Sequence, residues 1–246
     1  MSTSSKAEKP DRMALARDAL ADSDVFGSLY DEDIEKLVPL GRLVHVPAGR
    51  MIFQKGDRAD CLMIVVSGRI RIGTVGLDGR EVMLNLVENG EVFGEIGVLD
   101  GKHRSADAAA LSDCELFVLD RARVMEFLEG HPHTAIRLIG ILCERLRHST
   151  ELIEDTMLLG MEQRVAKTLL RIGRRYGIER NGVVRIENGL SQRDLGSFAG
   201  LARENVNRQM RSFKERGLIE VDHGVIILKN VRALQAIAAP TGDRVG

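Results

Sequence analysis

The chain has no tryptophan, only two tyrosines and only five prolines in 246 residues. It has no apolar run near the roughly 20 residues needed to span a bilayer, so no membrane partner is expected. The first residues, MSTSSKAEKPDR, are polar and mixed in charge. They lack the apolar centre of a secretion signal, and a cytoplasmic protein is expected. Cysteine is scarce too: Cys61, Cys114 and Cys143 are odd in number, far apart and set among apolar residues. That excludes a disulfide framework and points to reduced, packed thiols. The six histidines show no ligand spacing, and His131 and His133 merely flank Pro132 at the start of a helix. An enzyme would need a nucleophile beside a base, or metal ligands in register. Neither is found, so no catalytic residue, metal or covalent cofactor is expected.

The charge is close to balanced at −1, but it is unevenly spread. Gly160 to Asn230 carries fourteen Lys and Arg against eight Asp and Glu. The rest of the chain carries 21 basic and 28 acidic residues. One acidic and one basic portion suggest a division of labour, with the basic portion suited to nucleic acid.

Periodicity divides the chain further. Short helices are predicted over Met13–Ala21 and Asp31–Val38, the latter with Asp31 as N-cap and Pro39 just past its end. Seven β-prone segments follow: Arg42–Val46, Met51–Phe53, Leu62–Val66, Ile70–Val75, Val82–Val87, Asp107–Leu111 and Cys114–Leu119. Turn signals such as Ala48-Gly49, Lys55-Gly56-Asp57, Ser67-Gly68 and Asn89-Gly90 separate them. Many short strands argue for an antiparallel sandwich or barrel. From about Arg121 the period turns helical, and one long helix should run from Pro132 to about Leu158. Ala135, Ile139, Leu142, Leu146, Ser149, Ile153 and Thr156 recur at alternating steps of four and three, a heptad seam that would pair with a second copy. Gly160 marks a hinge, and Glu162–Arg175 is a further helix. Val183–Ile186 is a short strand. Two helices, Gln192–Ala199 and Ala202–Arg216, flank a turn at Gly200, with Ser191 as a candidate N-cap. Val221 and Ile226–Leu228 form a hairpin beyond them.

Phe93 to Ser105, FGEIGVLDGKHRS, breaks the strand rhythm. Gly94 lets backbone approach a ligand closely. Arg104 offers a fork of donors that fits phosphate oxygens, and Ser105 adds a hydroxyl. Glu95 is an acceptor, wrong for phosphate but right for a sugar hydroxyl. A site that wants both wants a nucleotide. Near the other end, Arg203, Glu204 and Arg208 stand at i, i+1 and i+5 on one helix face, opposite Val206, Met210 and Phe213. Arginine can read guanine with two bonds, and glutamate can accept from the cytosine amino group.

Three stretches carry a resemblance to a known family: FGEIGVLDGKHRSA, ERLRHSTE, and LSQRDLGSFAGLARENVNRQMRSFKERGLI. In that order they resemble the Crp/Fnr family of bacterial transcription regulators. The resemblance implies an α+β architecture of cyclic-nucleotide-binding β-roll, long dimerisation helix and winged helix-turn-helix. The implied domains are an N-terminal arm with a short helix (1–24), the roll (25–130), the dimerisation helix (131–159) and the DNA-binding domain (160–246). The implied ligand set is Gly94, Glu95, Ile96, Gly97, Arg104, Ser105, Arg145, Ser149 and Thr150. Ser149 would meet the base in its own pocket, Thr150 would reach across the dimer, and Arg145 would pair with Glu95. The implied base readers are Arg203, Glu204 and Arg208, on a palindromic TGTGA-like site. Gln192, Arg193, Asn205 and Asn207 would contact phosphate or sugar. The implied partners are duplex DNA, a cyclic nucleotide, a second copy of the chain and RNA polymerase. The effector would be cAMP, with cGMP left open. A member answering to haem or redox, or binding DNA constitutively, is the alternative; a haem ligand would have to be His45 or Cys61. Ala202 and Asn205 depart from the serine and threonine usual at these positions, which bears on affinity more than on site preference.

Overall fold

The computed structural model describes residues 12–76, 81–180, 182–187, 192–222 and 224–239, with backbone alone at 192 and 193. The chain divides into two compact units. One runs to Thr74 and resumes over Asn85–Arg145; the other comprises Val75–Leu84 and everything from Leu146 on.

The first unit opens with α1 (Arg12–Ala21) and α2 (Asp31–Leu37), followed by a 3₁₀ turn at Val38–Leu40. The N-cap of α2 is Tyr30 rather than Asp31. Asp31, Glu32 and Asp33 instead fill its first turn, where negative charge suits the helix dipole. Among the described residues up to Asp120 eight strands follow, the end of β4 and the start of β5 belonging to the other unit: β1 (Gly41–Val46), β2 (Met51–Phe53), β3 (Cys61–Ser67), β4 (Ile70–Val75), β5 (Glu81–Val87), β6 (Val92–Phe93), β7 (Asp107–Ala110) and β8 (Cys114–Asp120). They form two four-stranded sheets, ordered β1-β8-β3-β6 and β2-β7-β4-β5. The central pairs are antiparallel, with Gly41 opposite Leu119 and Ile64 opposite Phe117. Gly41 is required at that point, since a Cβ there would lie 2.2 Å from the Phe117 ring.

Between β6 and β7 the chain makes a six-residue helix, α3 (Glu95–Asp100). After β8 come α4 (Arg121–Gly130) and the 27-residue α5 (Pro132–Leu158). One core joins Leu20, Phe26, Ile34, Leu62, Ile64, Phe117, Phe127 and Leu138. A second, between the sheets, joins Val65, Ile70, Phe93, Ala108 and Leu116. Burial of this apolar area is the main stabilising term.

The stripe that α5 leaves exposed is not quite the predicted one. Thr134 and Leu138 are buried, and Ala135 and Ile141 pack against the first core. The exposed large apolar residues are Ile136, Ile139, Leu146, Ile153, Met157 and the terminal Leu158; all but Leu158, with exposed Cys143 and Thr150, keep the three–four spacing. Ala135, Leu142 and Ser149 are half-buried and give way to residues one position on, while Thr156 stays exposed beside Met157. The helix has to serve its own core first, and the free stripe is what remains.

In the second unit, α6 (Met161–Tyr176) leads to β9 (Gly177–Arg180) and β10 (Val183–Ile186). Then come α7 (Gln192–Ala199), α8 (Arg203–Glu215), β11 (Ile219–Asp222), β12 (Val225–Leu228) and α9 (Val231–Ala238). The sheet order is β11-β12-β10-β9. Ala202 caps α8 rather than belonging to it. The predicted cap Ser191 lies outside the described residues. Val165, Leu169, Ile172, Leu195, Phe198, Val206, Met210, Phe213, Leu228 and Leu234 are buried. The last of these belongs to α9, which the strand and helix patterns did not predict.

Candidate functional site

The Phe93–Ser105 stretch is built around two glycines. Gly94 has φ +78°, the left-handed region, and a Cβ there would meet Arg104 Nη1 at 2.5 Å. A Cβ on Gly97 would lie 2.4 Å from that of Ala59. These close approaches bring a helix start, a buried acid and a buried base together. Glu95 is 1% exposed and Arg104 5%.

Arg104 is held at several points. Its Nη1 donates to the Gly94 carbonyl (2.7 Å) and its Nη2 to the Cys61 carbonyl (2.8 Å). The Cys61 sulfur is 3.4 Å from Nη2, and the guanidinium lies 4.2 Å from the centre of the Phe53 ring. Its backbone amide donates to Asp57 and its carbonyl accepts from Gly56. Its Nε is buried with no hydrogen-bond partner. A buried donor left unmade costs roughly 1–3 kcal/mol, so the site carries unspent hydrogen-bonding capacity toward an anion.

Glu95 faces Arg145 across 2.5 Å from Oε1 to Nη1. The contact is an ion pair without directed hydrogen-bond geometry at Oε1. Arg145 Nη2 also donates to the Val92 carbonyl. The predicted Glu95–Arg145 pairing is therefore present, and it fixes the carboxylate behind Gly94. Gly97 is buried, while Ile96 and Ser105 lie at the surface. Ser149 is half-buried on α5. Thr150 is exposed, and its hydroxyl donates to the Leu146 carbonyl at 3.0 Å. His45 lies exposed on β1, 3.7 Å from Glu115. Among the described residues no cluster of metal-ligating side chains occurs.

The second site is the α7–α8 pair. Gly200, with φ +61°, makes the turn between them. Leu195, Val206, Met210 and Phe213 close the interior, and Arg203, Glu204, Arg208 and Arg211 form an exposed face. Arg208 Nη2 donates to Asn205 Oδ1 at 3.1 Å, so Asn205 orients a neighbouring guanidinium. The Asn207 Oδ1 is buried with no partner, so its carbonyl end turns away from that face. The Gln192 and Arg193 side chains lie outside the described residues.

Sequence reasoning missed what braces this face. Arg164 on α6 donates from Nε to the Ala199 carbonyl (2.9 Å) and from Nη2 to the Gly200 carbonyl (2.8 Å). A cation on the free carbonyls of a helix end satisfies them and suits the dipole. Burial holds the Arg164 and Arg171 guanidinium groups below their ordinary range. Lys167 reaches back to Asp155 at 2.5 Å. No local signal could have found Arg164, because its partners lie far along the chain.

Residues 43–131 match the cyclic nucleotide-binding domain, and residues 163–237 the Crp-like helix-turn-helix domain. The "Cyclic AMP receptor protein" of Thermus thermophilus is 30% identical over 216 residues, 88% of this chain and 97% of its own. A "CRP-like cAMP-activated global transcriptional regulator" of Mycobacterium tuberculosis is 27% identical over 215 residues, 87% of this chain and 96% of its own. Among solved structures, the "c-di-GMP Responsive Global Regulator CLP" of Xanthomonas campestris superposes with a TM-score of 0.71 at 22% identity, over 81% of this chain and 99% of its own.

Proposed function

As the chain belongs to the Crp/Fnr family of transcription regulators, we propose that it is a homodimer that binds a palindromic TGTGA-like site under the control of cAMP. Its coarser character follows from the family: it is a DNA-binding transcriptional regulator with a cyclic nucleotide-binding domain, and not an enzyme.

The observation that carries the effector reading is the burial of both Glu95 and Arg104 beside Gly94, with the Arg104 Nε–H still unmade. Arg104 and Ser105 take the cyclic phosphate, and Glu95, held by Arg145, accepts from the ribose hydroxyl. Gly94, Ile96 and Gly97 line the close approach. Ser149 and Thr150 meet the base, Thr150 from the exposed stripe of α5. That stripe, Ile139 to Met157, supports pairing with a second copy in a parallel two-fold arrangement. Arg203, Glu204 and Arg208 read bases, with Gln192, Arg193, Asn205 and Asn207 toward the backbone. We assign the arm to residues 1–24, the roll to 25–130, the dimerisation helix to 131–159 and the DNA-binding domain to 160–246, with Gly160 as the hinge. RNA polymerase is the further partner. The protein acts in the cytoplasm; no helix among the described residues is long and apolar enough to cross a membrane.

Ligand must favour the DNA-competent state, or it shifts nothing. Calorimetric titration with cAMP and with cGMP, followed by duplex binding with and without nucleotide, tests the proposal. The expected result is saturable cAMP binding and nucleotide-dependent affinity for the palindrome. A flat titration with both nucleotides, or duplex binding indifferent to them, overturns it.

A further inference from the structure

Arg104 is buried without a counter-charge. Among the described residues no carboxylate lies within ion-pair reach of it; what its side chain meets is two carbonyls, a sulfur and the face of Phe53. Glu95, its neighbour in the ligand set, is engaged by Arg145 instead. A buried cation loses its hydration, and fixed groups of the protein have to replace it.

The end of β2 supplies much of that replacement. The Phe53 ring centre lies 4.2 Å from Arg104 Cζ. The electron-rich face of a ring attracts a cation, more strongly where water is excluded. Phe53 also stacks with Phe93, at 6.0 Å between ring centres and 28° between planes. Phe93 is wholly buried and directly precedes Gly94. One ring therefore meets both ends of the effector stretch. The turn that follows grips the main chain of the same arginine. The Gly56 amide donates to the Arg104 carbonyl, and the Arg104 amide to the Asp57 carbonyl, each at 2.9 Å. Asp57 Oδ2 closes the turn on the Gln54 amide at 2.8 Å, and the Lys55 amide donates to Asp107 Oδ1 at 2.7 Å. Phe53 packs on the second core as well, but an aliphatic side chain would fill that role. It is absent from the ligand set above.

We propose that Phe53 is a positioning residue of the effector site: its ring face stands in for the missing counter-charge and holds the Arg104 guanidinium ready for the cyclic phosphate. The inference rests on the nucleotide reading given above. A guanidinium already ordered loses less freedom when the anion arrives. A ring face also uses up no N–H group. A carboxylate in its place would take the donors that the phosphate needs and cancel the charge that attracts it.

The test keeps the shape of the ring and changes its charge distribution. Fluorine draws electron density off the face, so phenylalanines with one to three ring fluorines, introduced at position 53 alone, weaken the contact stepwise. In calorimetric titration of the full chain, cAMP affinity should fall with each fluorine, by about tenfold across the series, while thermal melts stay almost unchanged. Phe53→Leu should bind cAMP about tenfold more weakly than the parent, and Phe53→Tyr, which keeps the ring face, about as tightly. If the leucine variant does not fold, the fluorinated proteins carry the test by themselves. A ring that only fills the core gives a flat series. A flat series, or affinity that rises with fluorine, overturns this proposal and leaves the nucleotide reading standing. No binding by the parent overturns both.

Discussion

The chain uses arginine and glutamate twice, in opposite surroundings. In the N-terminal unit Glu95 and Arg104 are almost wholly buried; on α8 Arg203, Glu204 and Arg208 are exposed. Exposed charges contribute little to folding and stay available to a partner. Buried ones must be answered inside the fold, and Arg145, Gly94, Cys61 and Phe53 answer these. The first arrangement suits a small ligand that has to displace or extend fixed contacts. The second suits a large polyanion that arrives with its own hydration and counterions.

Substitutions can break that contrast, and the buried side should be the more sensitive. Arg104→Ala removes a two-pronged anion donor and leaves two buried carbonyls without their donor. Loss of cAMP affinity of about 100-fold or more is expected in a calorimetric titration, since each charge-assisted bond is worth roughly 1.5–3 kcal/mol. Arg208→Ala should weaken binding to the palindromic duplex about 10- to 100-fold, with little change on a scrambled duplex, from a bidentate contact of roughly 1–3 kcal/mol. Fluorescence anisotropy reads both duplexes, and cAMP affinity should be unchanged. Gly94→Ala places a side chain at φ +78° against Arg104. It should lower stability by about 1–2 kcal/mol, visible in thermal melts. The equivalent exposed change, Glu204→Ala, should leave the melting temperature where it was.

The smallest effect is a pH effect. Asp24 has a folded pKa raised to about 6 by burial and then by the Glu91 charge. Its contribution to stability is therefore full below the ordinary carboxylate range and is lost as pH rises through about 6. Asp24→Asn, without ligand, should melt a few degrees above the parent near pH 8, and the difference should vanish in acid. A constant difference across pH would show that Asp24 does not titrate as described.

The exposed site was easier to read in the sequence than the buried one. On α8 the exposed charged residues and the inward residues follow from helical spacing alone, and Gly200 announces the turn. In the Gly94 stretch the residue types pointed to the chemistry, and the pairing of Glu95 with Arg145 was expected. The carbonyls that hold Arg104 could not be foreseen, because Cys61 belongs to a strand far along the chain. The seam on α5 came out one residue displaced at alternate positions. Apolar spacing cannot tell which of two adjacent stripes a helix gives to its own core, and Leu138 decided that here. Strands as short as β6, and β9 with its mixed residues, leave no alternation to detect. Helix α9 was missed for a different reason: its register depends on docking to α6, where Leu234 is buried.

The Thr150 hydroxyl spends its only hydrogen on the carbonyl one turn back. What it has left to offer outward is lone pairs. A purine edge that meets it must therefore bring the hydrogen itself, as the amino group of adenine does and the keto oxygen of guanine does not.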